Sequence, residues 1–516
     1  MSDNNNATGH QEFDYIIVGA GSAGCLLANR LSANPDNRVL LIEAGGRDNY
    51  HWIHIPVGYL YCIDNPRTDW RFRTEPDPGL NGRSLIYPRG KTLGGCSSIN
   101  GMLYIRGQAR DYEQWADITG EDAWNWDNCL ADFMRHEDHY RLDDGGDADP
   151  EHHKYHGHGG EWRVEHQRLK WKVLEDFATA CVEAGIPRTR DFNRGDNEGS
   201  AYFHVNQKRG TRWSSARGFL KPVLHRPNLV LETGCTVDKL RMTGNRATGV
   251  EWIQDGQRRT ATARREVVLA SGSIGSVQVL QRSGIGDGDY LQSLGIPVVT
   301  DHKGVGANLQ DHLQLRMIYK VEGTSTMNRI YANLLRRGWM GVEYALFRKG
   351  PLTMAPSQLG VFTKSGPDVE RADLEFHIQP LSLDKFGDPL HSFPAITTSV
   401  CNLRPESRGH IRITSADPSA APEIAPNYLT AERDREIAGR SIRVARRIAA
   451  AKALARYKPE EYLPGPQTGD DDEALARAAG DIGTTIFHPV GTAKMGLPSD
   501  PSAVVDDRLR VFGIEG

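Results

Sequence analysis

The sequence has no paired-cysteine pattern: Cys25, Cys62, Cys96, Cys129, Cys181, Cys235 and Cys401 are scattered without a C-x-x-C. That argues against a structural zinc and suits reduced thiols in a cytoplasm. No apolar run reaches membrane-spanning length; peripheral contact, at an inner membrane for example, leaves no such trace. The basic-then-apolar opening of a secretory leader is missing too, since "MSDNNNATGHQEFDYIIVGAG" stays polar up to one short strand. Charge of either sign is not in large excess. With 62 Lys and Arg against 66 Asp and Glu the net charge is -4, which gives no reason to propose nucleic acid as a partner. Internal repeats are absent. These absences lead to a cytoplasmic protein as the expectation.

What is present is 54 glycines, 25% charged and 39% hydrophobic residues in 516, the composition of a loop-rich globular chain. The length calls for about three units or two large ones.

"FDYIIVGAGSAGCLLANRLSA" begins with an apolar run, turns at glycines, and continues with Ala23, Leu26, Leu27 and Leu31 at helical spacing. "RVLLIEAG" follows as a second buried strand ending at Glu43, which completes a strand-helix-strand unit. Gly19, Gly21 and Gly24 have the G-x-G-x-x-G spacing. The first allows the turn, the second lets backbone approach a pyrophosphate, and the third lets helix pack on strand. Ser22 and Ala23 open a helix whose N-terminus faces the phosphates, and Glu43, followed by Ala44, is placed to accept ribose hydroxyls. The cofactor is NAD or FAD. Residues 45–108, rich in Gly, Pro, Trp and Tyr, do not continue the alternation, and the sheet resumes only at "REVVLASGSIGSVQVLQRSGIG". A nucleotide-binding sheet split by long insertions suits FAD.

Elsewhere the pattern changes. "GGEWRVE", "ADLEFHIQPLS", "AITTSVCNLRP" and "RGHIRIT" read as strands of an antiparallel sheet, and residues 329–348 and 430–452 as amphipathic helices. The arginines of "REIAGRSIRVARRIAA" read as a solvated helix face. "HHKYHGHGG", His152 to Gly160, collects metal-ligand side chains, but its flank "DDGGDADPEHH" reads as a solvated polar loop, so no metal site is expected. In "FHPVGTAKMG" proline disfavours helix at His488, which fixes that imidazole in extended backbone at the mouth of a loop.

In order along the chain, "YPRGKTLGGCSSIN", "GSIGSVQVLQRSGIG", "NLRPESRGHIRI", "PEIAPNYL" and "HPVGTAKMG" resemble five segments of the glucose-methanol-choline (GMC) oxidoreductases, especially the choline-dehydrogenase-like alcohol dehydrogenases. The likeness covers nearly the whole chain. It implies an α/β fold with an α+β second domain: a Rossmann-like FAD-binding domain (residues 1–158, 200–312 and 470–516) and a discontinuous antiparallel-sheet substrate domain (159–199 and 313–469).

The resemblance implies that Gly19, Gly21, Gly24 and Glu43 hold the ADP half of FAD, that Gly94, Gly95, Cys96 and Asn100 lie along the flavin, and that the main chain of Val237 meets the adenine. Ile99 stands where relatives with covalent flavin carry histidine, so the FAD is expected to be non-covalent. His488 is implied as the base that prepares a primary alcohol for hydride transfer to flavin N5, with a single ionisation near that of histidine. Electrons pass to a quinone or a similar acceptor. Alternatives are an oxidase using dioxygen, a hydroxynitrile-lyase-like enzyme, and an inactive flavin-binding chain. A choline pocket would need an aromatic cage and a carboxylate for the quaternary ammonium; Trp52, Tyr59, Tyr61 and Trp70 could contribute to the cage, but aromatics in such a loop more often serve packing, so the alcohol is left open. The family pattern continues past "LRVFGIEG" with a strand and a segment carrying a second His or Asn. The sequence stops at Gly516, so it is expected to be part of a longer protein.

Overall fold

The computed structural model describes residues 11–140, 151–385 and 387–516. Its first elements follow the hydrophobic pattern: β1 (Gln11–Val18), α1 (Ser22–Leu31) and β2 (Val39–Glu43), with every residue of β2 buried. β2 runs parallel to β1, from Tyr15 opposite Val39 to Val18 opposite Ile42. On its other side β1 takes Gln257–Leu269, also parallel, so the strand expected at "REVVLA" closes against a partner some 250 residues earlier. Leu229–Thr233 lies beyond β2, and Arg246–Gln254 and Cys235–Thr243 complete a six-stranded sheet as antiparallel neighbours. Phe13, Ile16, Leu40, Ile42 and Val250 pack one face of it against the helix Gly272–Arg282 through Ile274 and Val277.

The second large sheet is antiparallel. Its order is Glu460–Leu463, Leu313–Lys320, Ala395–Asn402, Leu374–Gln379, Leu359–Thr363 and Gly199–Tyr202, with Gly483–Thr485 also paired to Leu313–Lys320. Alternation along Leu313–Lys320 decides which face is which, because successive side chains point to opposite sides. Leu315, Met317 and Tyr319 enter the largest core cluster, under the helices Lys172–Glu183 and Glu432–Ala449. Gln314 and Arg316 point the other way, into a cavity of about 1310 Å³.

The strands depart from the expected boundaries. Gly199–Tyr202 and Gly483–Thr485 hydrogen-bond into the antiparallel sheet, although residues 200–312 and 470–516 were expected in the FAD-binding part. "GGEWRVE" forms Trp162–His166 in a separate four-stranded sheet, and "RGHIRIT" forms His410–Arg412 in a two-stranded one packed against the nucleotide-side core through Ile411. Local alternation identifies a strand but not its partner. Among the described residues no helix is long and apolar enough to cross a membrane.

Candidate active site

The glycine turn builds a cradle from backbone. Gly19 has φ of +100°, in the left-handed region, and a Cβ on Gly24 would lie 1.9 Å from the Gly19 carbonyl oxygen, so α1 approaches β1 as closely as only glycine permits. At Gly21 a Cβ would meet nothing nearer than Ala270 O at 3.7 Å. Ser22 and Ala23 begin α1, whose first turn carries no side-chain cap and no acid. Free N–H donors with the positive end of the helix dipole suit a diphosphate. The Glu43 carboxylate ends β2 beside Ala44 and accepts from the N–H groups of Ala20 (2.9 Å) and Gly45 (2.8 Å). Burial pushes it up to about 7 against those bonds. Val237 is in the strand whose approach is tied to the end of β2 by Gly234 N–H to Gly45 O (3.0 Å). These features fit the ADP half of FAD.

The loop carrying the implied flavin residues is fastened to this cradle by Gly94 N–H to Ala20 O (2.8 Å). Gly95 and Cys96 form a short 3-10 turn after Gly94, and Asn100 Oδ1 accepts from Arg212 Nη1 (2.7 Å). Cys96, Ile99 and Asn100 line the same cavity as His488. The cavity lined by this loop and by residues of the antiparallel sheet fits a flavin ring and a small substrate.

His488 is held by its backbone. Its N–H donates to Asp311 Oδ1 (2.8 Å), and the other carboxylate oxygen accepts from Tyr428 OH (2.5 Å), Thr485 Oγ1 (2.5 Å) and Tyr87 OH (3.1 Å). Burial and the Asp311 charge raise both tyrosines well above the usual phenol range, so they remain donors. Phe487, just before it, has φ of +70°, a strained conformation for a non-glycine residue, and its carbonyl accepts from Arg89 Nη2 (2.5 Å). His488 is an exposed residue whose ring opens onto the cavity. Desolvation there and the nearby His312 lower it to about 4, below the histidine-like value expected from sequence. Nδ1 of His488 lies 3.5 Å from Nδ1 of His312, with the rings inclined at 70°.

Two family models described as GMC oxidoreductase match the chain, over residues 13–314 and 405–516. The chain belongs to the GMC oxidoreductase family. It is 40% identical over 508 residues to an alcohol dehydrogenase (acceptor) of Pseudomonas putida, covering 97% of this chain and 89% of that one. It is 38% identical over 521 residues to the mitochondrial choline dehydrogenase of Mus musculus, covering 99% and 85%. The crystal structure of pyridoxine 4-oxidase from Mesorbium loti superposes with a TM-score of 0.85 at 30% identity, covering 98% and 92%. This GMC oxidoreductase is therefore an FAD-dependent enzyme acting on CH–OH donors.

Not every predicted grouping assembles. Of the four aromatics, Tyr59 alone lines the cavity; Trp52 stacks on Tyr61 (4.1 Å between centroids) and Trp70 on Phe72 (5.7 Å). The flank 143–153 reads in sequence as a solvated loop; residues 143–150 lie outside the described residues, Glu151 and His153 are exposed, and His152 is buried, as is His156 in the histidine run. His156 Nε2 lies 2.6 Å from Asp191 Oδ2, and its Nδ1 3.1 Å from Glu137. Arg106 in turn donates to Glu137 (2.9 Å) and Arg194 to Asp191 (3.3 Å). The partners come from residues 106, 137, 191 and 194, so the histidine run itself gave no sign of them. The sequence reading also missed Asp311, His312 and Arg316. The alternation of "DHLQLR" was the available signal, since it puts His312, Gln314 and Arg316 on one strand face.

Proposed function

We propose that the enzyme oxidises a neutral or anionic primary alcohol to the aldehyde, with His488 as general base and a quinone-type molecule as the electron acceptor. One observation carries the base assignment: an imidazole, fixed through Asp311, lines the same cavity as Cys96, Ile99 and Asn100. FAD bound along that loop supplies the hydride acceptor. His488 accepts the hydroxyl proton, which leaves the carbinol carbon ready to release hydride, and general-base assistance of this kind is typically worth about a hundred- to ten-thousand-fold. His312 stands at the same corner, within reach of a substrate oxygen. Ile99, buried in the wall, offers no nitrogen for a covalent flavin link.

The substrate class rests on Arg316. Its guanidinium is in the cavity wall, Nε and Nη2 have no hydrogen-bond partner among the described residues, and burial lowers its pKa with only Tyr59 opposing. An unpaired cation favours an uncharged or anionic substrate and repels a quaternary ammonium. The Pseudomonas relative's name, an acceptor-linked alcohol dehydrogenase, supports the same reading over the choline dehydrogenases.

The test is anaerobic mixing of the FAD-loaded protein with alkanols, hydroxy acids and choline, following loss of flavin absorbance. Bleaching by the first two classes is expected. Bleaching by choline alone would overturn the substrate class, and none by any alcohol would overturn the function. Peroxide formation in air at a rate matching turnover with a quinone would replace the quinone by dioxygen. Mild denaturation should release all the flavin into the supernatant; flavin retained on the precipitated chain would refute the non-covalent assignment.

A further inference from the structure

The helix Leu334–Phe347 has its apolar residues on the side away from the core. Only Met340 and Tyr344 of it are buried, while Leu334 (79% exposed), Leu335 (86%), Trp339 (60%), Val342, Leu346 (69%) and Phe347 stand in solvent. At about 100° per residue, Leu335, Trp339, Val342 and Leu346 fall within an arc of about 60°, opposite Met340 and Tyr344. The helix is therefore moored along one edge, and its hydrophobic stripe faces directly away from the protein. A contiguous apolar patch of this kind marks a surface that something covers.

Charge indicates what covers it. From residue 325 to residue 352 the cations are Arg329, Arg336, Arg337, Arg348 and Lys349, and the one acid is Glu343, in a chain of net charge -4. A second copy would bring two such cationic rims together, which is unfavourable. An outward apolar stripe with Trp and Phe, flanked by arginines, is the pattern of a helix lying in a bilayer interface with anionic lipids. The patch also continues to the cavity. The turn Pro351–Thr353 packs on both this helix and Pro56–Gly58, and the next residues, Tyr59 and Leu60, line the cavity, with Leu60 and Tyr61 exposed.

We propose that Leu334–Phe347 docks the enzyme on an anionic bilayer and turns the cavity mouth towards the lipid, where apolar alcohols and quinones dissolve. The purpose rests on the function proposed above, whereas the docking itself requires no turnover.

The FAD-loaded protein would be floated with vesicles of phosphatidylcholine alone, or with about a third phosphatidylglycerol. The bound fraction is expected to be roughly tenfold higher on the anionic vesicles and to fall with salt. A combined Leu335→Ser, Trp339→Ser, Leu346→Ser variant should stay unbound, and Arg336→Glu with Arg337→Glu should lose the preference for phosphatidylglycerol. These side chains are exposed, so both variants should keep their FAD and their rate of flavin reduction by a soluble alcohol, which checks folding. A wild-type protein that floats with neither vesicle, or a triple variant that floats like wild type, would overturn the proposal. So would a wild-type dimer that the triple variant turns into a monomer, because that assigns the face to a second copy. A protein that floats but reduces its flavin with no alcohol would refute the function alone.

Discussion

At the scale of single residues, the proposed function gives His488 and Arg316 opposite tasks in one cavity. His488→Ala should keep fold and FAD while slowing flavin reduction by about a hundredfold or more, a loss of roughly 3 kcal/mol in transition-state stabilisation. Since desolvation in the cavity wall and His312 lower the ring to about 4, its base form is present throughout the neutral range. Stopped-flow rates should therefore be flat there and fall only in acid, with a midpoint near that value; a midpoint near ordinary histidine would mean that another group titrates. Arg316→Met removes a buried cation that has no acid beside it, so denaturant unfolding should show equal or higher stability. The same change should raise kcat/KM for choline by roughly tenfold, because the repulsion is gone. An unchanged ratio of choline to alkanol activity would show that Arg316 does not select charge.

At the scale of elements, the strand-turn-helix at residues 11–31 separates two effects of glycine. Gly21→Val has room for its Cβ, so it should fold and fail to retain FAD, as read by the yellow colour of the purified protein against its circular dichroism. Gly24→Ala, aimed at the Gly19 carbonyl, should lower thermal stability before binding is even tested. This unit was legible in sequence because everything it needs, from Gly19 to Glu43, lies within one local pattern. His488 was legible for a similar reason, the adjacent proline. Asp311 was not, since its importance comes from Tyr87, Tyr428, Thr485 and His488, none of them near it in sequence. The helix expected over residues 329–348 forms as two, Met327–Ala332 and the amphipathic Leu334–Phe347, and periodicity does not reveal whether the apolar stripe faces inward or outward. Pairing of strands between the two sheets was illegible at Gly199–Tyr202 and Gly483–Thr485 because short strands carry little register information.

At the scale of the whole molecule, the buried group around His156 joins segments from residues 106 to 194. Burial opposes charge on that ring, but the bonds to Asp191 and Glu137 outweigh it and raise the ring above the usual histidine value of about 6.5, and in return Glu137 is held below the usual glutamate value of about 4.5. The histidine contribution is complete below the unfolded value and is lost as pH rises through the raised one; the carboxylate contribution is complete above the unfolded value and is lost as pH falls. The group should thus stabilise most between about pH 4.5 and 6.5. His156→Ala leaves two buried carboxylates without their bridge and should cost about 3–5 kcal/mol in denaturant unfolding near pH 5.5. A loss below about 1 kcal/mol would show that the arginines suffice. The Asp311 hub carries a consequence of another kind, in time. Its carboxylate is complete only when Tyr428, Thr485 and the His488 N–H have been synthesised, 117 to 177 residues later. At roughly 5–20 residues per second that is a delay of about 6–35 s, during which the nascent chain already contains its whole phosphate cradle and both strands that flank β1. A ribosome-bound chain should therefore be able to capture the nucleotide end of its cofactor before His488, the proposed base, has been made.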